Sequence, residues 1–336
     1  MYALKTMPVG FPGLFGDWEL NIDPVALNVG NGVYWYGIII GLGLVLGAMI
    51  AMKMAPKVGL TEDHVLDMVL WAAPLAIIGA RIYYVIFYLS LFQDADGSYN
   101  FGKMIAIWDG GIAIYGAVIS AFIVVFVFCK LKKIPFATLT DVGVIGLLLG
   151  QGIGRWGNFV NREAFGDVTT LPWRMKLYTS LTETIEVHPT FFYESMWNLI
   201  GVLLMVFVVI KLRRFDGEVT WFYFLWYGLG RVWIEGLRTD SLYLFDWTLL
   251  GEPIRVSQAL SFVMIVVSAS ALWYMLKVKK VSSETLFVNR KTVGEAEQET
   301  AVVEESAQEF VAEPMENPVV EAASAETIQT QEEENQ

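Results

Sequence analysis

Val33–Met52, VYWYGIIIGLGLVLGAMIAM, runs for twenty residues without a charge. A helix needs about 20 mostly apolar residues to cross a bilayer core, so this stretch decides the class of the protein. Two more runs, Gly110–Cys129 and Val256–Leu276, are equally free of charge. Four further segments have suitable length but carry charges. They are roughly 66–90 (Asp67, Arg81), 134–157 (Asp141, Arg155), 191–210 (Glu194) and 218–236 (Arg231, Glu235). The expectation is an all-α integral membrane protein with about seven transmembrane helices.

Composition agrees. Of 336 residues, 55% are hydrophobic and only 17% are charged, against about 25% charged in soluble domains. The single cysteine, Cys129, excludes an internal disulfide, and no Cys/His cluster points to a metal. The net charge of −12 belongs entirely to residues 281–336, where 14 glutamates face only Arg290 and Lys291. That segment has almost no aromatics and too little apolar surface to offset the entropy of ordering. It is expected to be a disordered cytoplasmic tail, leaving 1–280 as one membrane domain. The opening MYALKTMPVGFPGLFG has neither an uninterrupted apolar core nor a small-residue cleavage site, so no cleaved signal peptide is expected.

Basic residues in short loops set orientation. Lys53 and Lys57, then Lys130, Lys132 and Lys133, then Lys211, Arg213 and Arg214, then Lys277, Lys279 and Lys280 fall on one side if there are seven helices. That side should be cytoplasmic, with the amino terminus outside and the carboxyl terminus inside. The longest outer loop, about 158–190, contains Pro172, Trp173 and Pro189 with alternating stretches and should form a small ordered cap.

Charges within apolar helices point to function, because a charged side chain at mid-membrane costs about 2.5–3.5 kcal/mol on the gentlest scale. Arg81, Arg155 and Arg231 all fall toward the outer half of their helices. Tyr227, Arg231 and Glu235 share a face at i, i+4, i+8, with Arg238 following. A structural ion pair explains Arg231 and Glu235 equally well. Gln151–Glu163, QGIGRWGNFVNRE, gathers Arg155, Asn158, Asn161 and Glu163 at a helix end, more hydrogen-bonding groups than a cap requires. Its Gly152, Gly154 and Gly157 spell G-x-G-x-x-G, but a dinucleotide site needs a preceding strand in a βαβ unit. Here the glycines should instead admit a neighbouring helix or a lipid headgroup. Trp108-Asp109-Gly110-Gly111 fits an ordinary interfacial helix start, and His188 fits a structural role beside Tyr193 and Glu194.

Gly154–Glu163, GRWGNFVNRE, closely resembles the signature of the prolipoprotein diacylglyceryl transferase family. Further blocks follow in order: Trp35-Tyr36-Gly37, Gly79-Ala80-Arg81 with Tyr84, Trp108–Gly111, His188-Pro189 with Tyr193-Glu194, Tyr227-Gly228 with Arg231, Glu235 and Arg238, and Ser257-Gln258. The resemblance spans roughly residues 20–280 and leaves out the tail. It implies a seven-helix body with an extracytoplasmic head, in the bacterial cytoplasmic membrane. It implies transfer of the diacylglyceryl group of phosphatidylglycerol to the lipobox cysteine thiol of a preprolipoprotein signal peptide, releasing glycerol phosphate. Arg155 and Arg231 match the family's essential arginines. Asn158, Asn161, Arg81, Gly111, Glu235 and Arg238 are expected at the lipid. Some members carry His where this chain has Tyr115. A phenol with a reference pKa near 10 is a poor resting base, so Tyr115 is expected to orient substrate. Glu163, Glu235 and Tyr36 remain candidates to take the thiol proton. Cys129 is outside any lipobox and is expected to pack. No cofactor, metal or nucleic acid is expected; membrane lipids are. A multi-pass transporter for an anionic solute and a purely structural scaffold are the alternatives, and the absence of a visible internal repeat weakens the first.

Overall fold

The computed structural model describes residues 3–30, 32–94, 96–240, 243–249 and 252–291. The stretch 292–336, which holds most of the predicted tail, lies outside the described residues.

Among the described residues six helices are long and apolar enough to span a membrane. They are α1 (Trp35–Val58), α2 (Glu62–Phe87), α3 (Ile114–Lys132), α4 (Phe136–Asn161), α5 (Thr190–Leu212) and, last in the chain, Val256–Val278. Between α5 and that last helix lies α6 (Glu218–Leu237), so Val256–Val278 is α7. The sequence predicts seven spans, and α6 is the one that falls short. It has the length, 20 residues, but Glu218, Arg231 and Glu235 lower its apolar character. It nevertheless packs among α4, α5 and α7.

Two seams hold the bundle through bare backbone. Gly47 of α1 faces Gly146 of α4, and a Cβ on Gly47 would lie 2.6 Å from the Gly146 carbonyl oxygen. Gly43 meets Gly150 one turn away, where a Cβ would lie 3.2 Å from the Gly150 oxygen. Gly79 of α2 and Gly116 of α3 make a similar approach. Lipid tails are as apolar as leucine, so helices associate in a bilayer by close packing and hydrogen bonds.

At one end sits the cap. It is a four-stranded sheet in the order β2-β1-β3-β4, with β1 Val9–Gly10, β2 Glu19–Leu20, β3 Met175–Tyr178 and β4 Thr184–Val187. The predicted boundaries of about 158–190 shift, because α4 continues through Asn161 and the amino-terminal segment supplies two of the strands. Val9, Phe159, Phe165, Met175, Leu177, Val187 and Phe191 form the apolar core that seats the sheet on α4 and α5. The Arg162 guanidinium donates to the carbonyls of Val160 (2.5 Å) and Ile22 (2.7 Å), fastening the amino-terminal segment.

In the cap, Lys176 Nζ donates to Glu19 Oε1 at 2.8 Å, and the Tyr178 hydroxyl donates to the same carboxylate at 3.0 Å. The lysine's hydrogen bond holds the Glu19 carboxyl below its usual range, and Glu19 raises Lys176 above its own. The Glu19 contribution to stability is therefore full above the ordinary value of 4.5 and fades as pH falls through the lowered one. Partial exposure keeps the effect small. The melting difference between wild type and Glu19→Gln should be present at pH 7 and shrink near pH 3. A gap of equal size at both values would count against the pair.

At the opposite, lysine-rich end, Asp141 of α4 accepts from the backbone N–H of Gly217 (2.8 Å) and Thr220 (2.9 Å), so it caps the start of α6 across the bundle. The chain after α7 then corrects the tail boundary. Leu286 is buried, the Phe287 N–H donates to Asp216 Oδ2 at 2.9 Å, Arg290 pairs with Asp216 at 3.4 Å, and Val288 rests on Gly59. The compact body ends at Lys291, not at 280, because Leu286 and Phe287 give this short strap apolar surface to bury.

Candidate active site

The helix ends nearest the cap bring the charged residues together. Arg155 lies in the last two turns of α4, Glu194 in the second turn of α5, and Arg231 and Glu235 one turn apart on α6. Glu194 is the hub. Arg155 Nη2 lies 2.5 Å from its Oε1, and Arg231 Nη1 donates to its Oε2 at 3.3 Å. Arg231 Nη2 also pairs with Glu235 at 2.7 Å. Glu194 and Glu235 are 5% and 2% exposed. Carboxylates are almost never buried so deeply without a partner, and here two arginines from different helices supply the compensation.

From Arg155 the network runs toward the cap. Arg155 Nη1 donates to Asn158 Oδ1 at 3.1 Å. Asn158 Nδ2 and Asn161 Nδ2 donate to Glu163 Oε1 at 3.0 and 3.3 Å, and Lys5 Nζ stands 3.9 Å from Glu163 Oε2. The chain makes this turn with Arg162 and Ala164 at positive φ, folding Glu163 back over its own helix. Trp156 Nε1 donates to Ser195 Oγ at 3.1 Å, which fixes α4 against α5 beside the hub.

The three glycines of QGIGRWG lie inside α4, and they serve close approach as the sequence suggests. A Cβ on Gly152 would meet Asn198 of α5 at 3.2 Å, and one on Gly154 would meet Ile40 of α1 at 3.2 Å. One on Gly157 would fall 1.8 Å from Tyr36 Cδ2. Tyr36 thus lies directly on α4, two residues along from Arg155.

Among the other expected residues, Arg81 and Tyr115 make none of these contacts, whereas Arg238 lies within electrostatic reach of Glu235 and Glu194. Arg81 is buried and donates to the carbonyls of Met104 (2.9 Å), Lys103 (2.6 Å), Gly111 (2.6 Å) and Gly110. It clamps the loop that carries Gly110 and Gly111, both at positive φ, so any influence on a ligand would pass through that loop. Gly111 has to be glycine, since a Cβ would lie 2.7 Å from Arg81 Nη1. Tyr115 is exposed, with its ring 6.3 Å from Tyr83. Arg238 forks onto Asp240 at 2.8 and 2.7 Å. The His188 backbone pairs with Gly166 and Asp167, and its Nδ1 lies 3.2 Å from the Tyr193 hydroxyl. Glu194 is the residue that sequence reasoning left unassigned. Its signal, a lone carboxylate in an apolar helix, was visible; its two partners were not.

Fold and site together define a multi-pass helical membrane protein with a buried arginine–carboxylate centre beneath a small sheet cap. The sequence profile described as prolipoprotein diacylglyceryl transferase matches residues 24–274, and the chain belongs to that family. It is 43% identical over 246 residues to the phosphatidylglycerol–prolipoprotein diacylglyceryl transferase of Finegoldia magna, covering 73% of this chain and 92% of that protein. It is 42% identical over 272 residues to the protein of the same name from Lysinibacillus sphaericus, with 77% and 95% covered. For the Oceanobacillus iheyensis protein of that name the identity is 44% over 270 residues, with 76% and 89% covered. Nothing in these relatives supports the transporter alternative.

Proposed function

We propose that this protein transfers the diacylglyceryl group of phosphatidylglycerol to the lipobox cysteine thiol of a preprolipoprotein, forming a thioether and releasing glycerol phosphate. The observation that carries the reading is the sharing of one buried carboxylate, Glu194, by Arg155 and Arg231. Two guanidinium groups converging on one anion make a site into which a phosphate diester can enter by exchanging with a carboxylate. Arginine's planar fork matches phosphate oxygens two at a time.

The reaction breaks the bond between a glycerol carbon and a phosphate oxygen. The thiolate supplies the electron pair of the new C–S bond, and the pair of the broken C–O bond leaves on phosphate. The leaving group gains negative charge, so fixed cationic donors at Arg155 and Arg231 stabilise the transition state more than the ground state. A free thiol has a pKa near 8.5 and must lose its proton. Glu163, Glu235 and the Tyr36 phenol are the acceptors we assign to this neighbourhood. Asn158 and Asn161 hold Glu163 in place, while Tyr115, Gly111, Arg81 and Arg238 contact or shape the lipid from further out. The lysine-rich end faces the cytoplasm of a bacterial cell membrane, and the cap faces outward.

The test is direct. The purified full chain, given phosphatidylglycerol and a lipobox peptide, should release glycerol phosphate. Arg155→Ala should reduce release by about 10²–10³-fold, the usual effect of deleting one preorganised donor. No release by wild type, or full release by Arg155→Ala, would overturn the reading.

A further inference from the structure

Helices α5 and α6 are joined by a paired indole contact one turn below the hub. Trp197 Nε1 of α5 donates to the carbonyl of Trp226 at 3.0 Å, and Trp226 Nε1 of α6 donates to the carbonyl of Trp197 at 3.0 Å. The two rings stack at 4.3 Å with 16° between their planes. Each helix places a glycine four residues after its tryptophan. A Cβ on Gly201 would come 2.4 Å from Trp226 Nε1, and one on Gly230 would come 2.3 Å from Trp197 Nε1. Each indole therefore lies in a notch of bare backbone on the opposite helix.

This contact specifies register. An indole has one N–H donor, and each N–H here has one carbonyl to reach. A helix rises 1.5 Å per residue, so sliding α5 along α6 by one residue would break both bonds at once. The same slide would separate Glu194 from Arg231, now 3.3 Å apart. Trp197 follows Glu194 by three residues, and Gly230 immediately precedes Arg231. Apolar contact with lipid on every side cannot choose between such registers.

We propose that Trp197 and Trp226 are positioning residues, which act by fixing the register that lets Glu194 hold both phosphate-binding arginines. This rests on the functional reading above. They do not touch the substrate; they set where Glu194 stands.

A double-mutant cycle tests this. Trp197→Phe and Trp226→Phe each keep a stacking ring and delete one N–H. Each should lower kcat/KM for glycerol phosphate release by about 10-fold, a coupling-sized effect, with a small change in melting temperature. In a Glu194→Gln background the same changes should lower it less than about 2-fold, because the group they position has lost its charge. Equal losses in both backgrounds would show independent packing roles and overturn the proposal. If Glu194→Gln is too slow to assay, the cycle is read in the dissociation constant for phosphatidylglycerol, with the same criterion. If a Trp→Phe chain fails to fold, Gly230→Ala, which displaces the Trp197 ring without deleting it, takes its place. Wild type that binds phosphatidylglycerol but releases no glycerol phosphate would sink the functional reading, while the binding cycle still decides the positioning role.

Discussion

Arg231→Ala is expected to reduce glycerol phosphate release by about 10³-fold and to destabilise the folded protein by about 3–5 kcal/mol. Arg231 stands between Glu194 and Glu235, with only 14% of its side chain exposed. Removing it takes away one of two cations facing two buried carboxylates, and breaking a buried pair from one side costs more than the intact pair contributes. Arg231→Lys separates the two effects. Its ammonium keeps the charge but cannot fork between two carboxylates as a guanidinium does, so stability should return in part while turnover stays low. Thermal melting in detergent and the release assay measure the two effects side by side. An Arg231→Ala protein that melts like wild type would show that the ion network is not holding the helices.

Gly47→Leu should have the largest effect on assembly. A Cβ there would lie 2.6 Å from the Gly146 oxygen. Both partners are backbone, so no side chain can rotate out of the way and α1 has to leave α4. Overpacking costs about 1–3 kcal/mol where neighbours can adjust; here the loss should reach or exceed the upper figure. Activity should fall with it, because Tyr36 reaches Gly157 through the same pair of helices. Gly41→Leu is the control, since no atom lies within 4 Å of its added Cβ. The proportion of monodisperse protein after extraction, and its melting temperature, should separate the two variants. Similar behaviour of both would remove the seam from the account of stability.

Much of this was readable in the chain because a bilayer makes charge conspicuous. Arg155, Arg231 and Glu235 stand out in apolar helices, and the structure brings them together. Glu194 stood out equally but had no visible partner, since its arginines are 39 and 37 residues away on other helices. The cap was legible only in its later half. Strands of two residues such as Val9–Gly10 and Glu19–Leu20 carry no period, so their pairing with each other, and that of Val9–Gly10 with Met175–Tyr178, left no trace in the sequence. Arg81 is ambiguous in the sequence for a related reason: a buried arginine satisfied by backbone carbonyls reads the same as one facing an anion. The tryptophans of α5 and α6 resemble an interfacial belt until their N–H groups are traced. The strap was lost in the average of an acidic tail, because only a few of its residues are apolar.

That strap also settles the parity of the chain. Asp216 precedes α6, and Phe287, 71 residues later, follows α7, yet the two are hydrogen-bonded. A path that leaves one end of the bundle and returns to it makes an even number of crossings. Since α7 is apolar and long enough to traverse the layer, α6 has to traverse it too, despite its charges. Added to the five earlier helices that are long and apolar enough to span, α6 and α7 make seven.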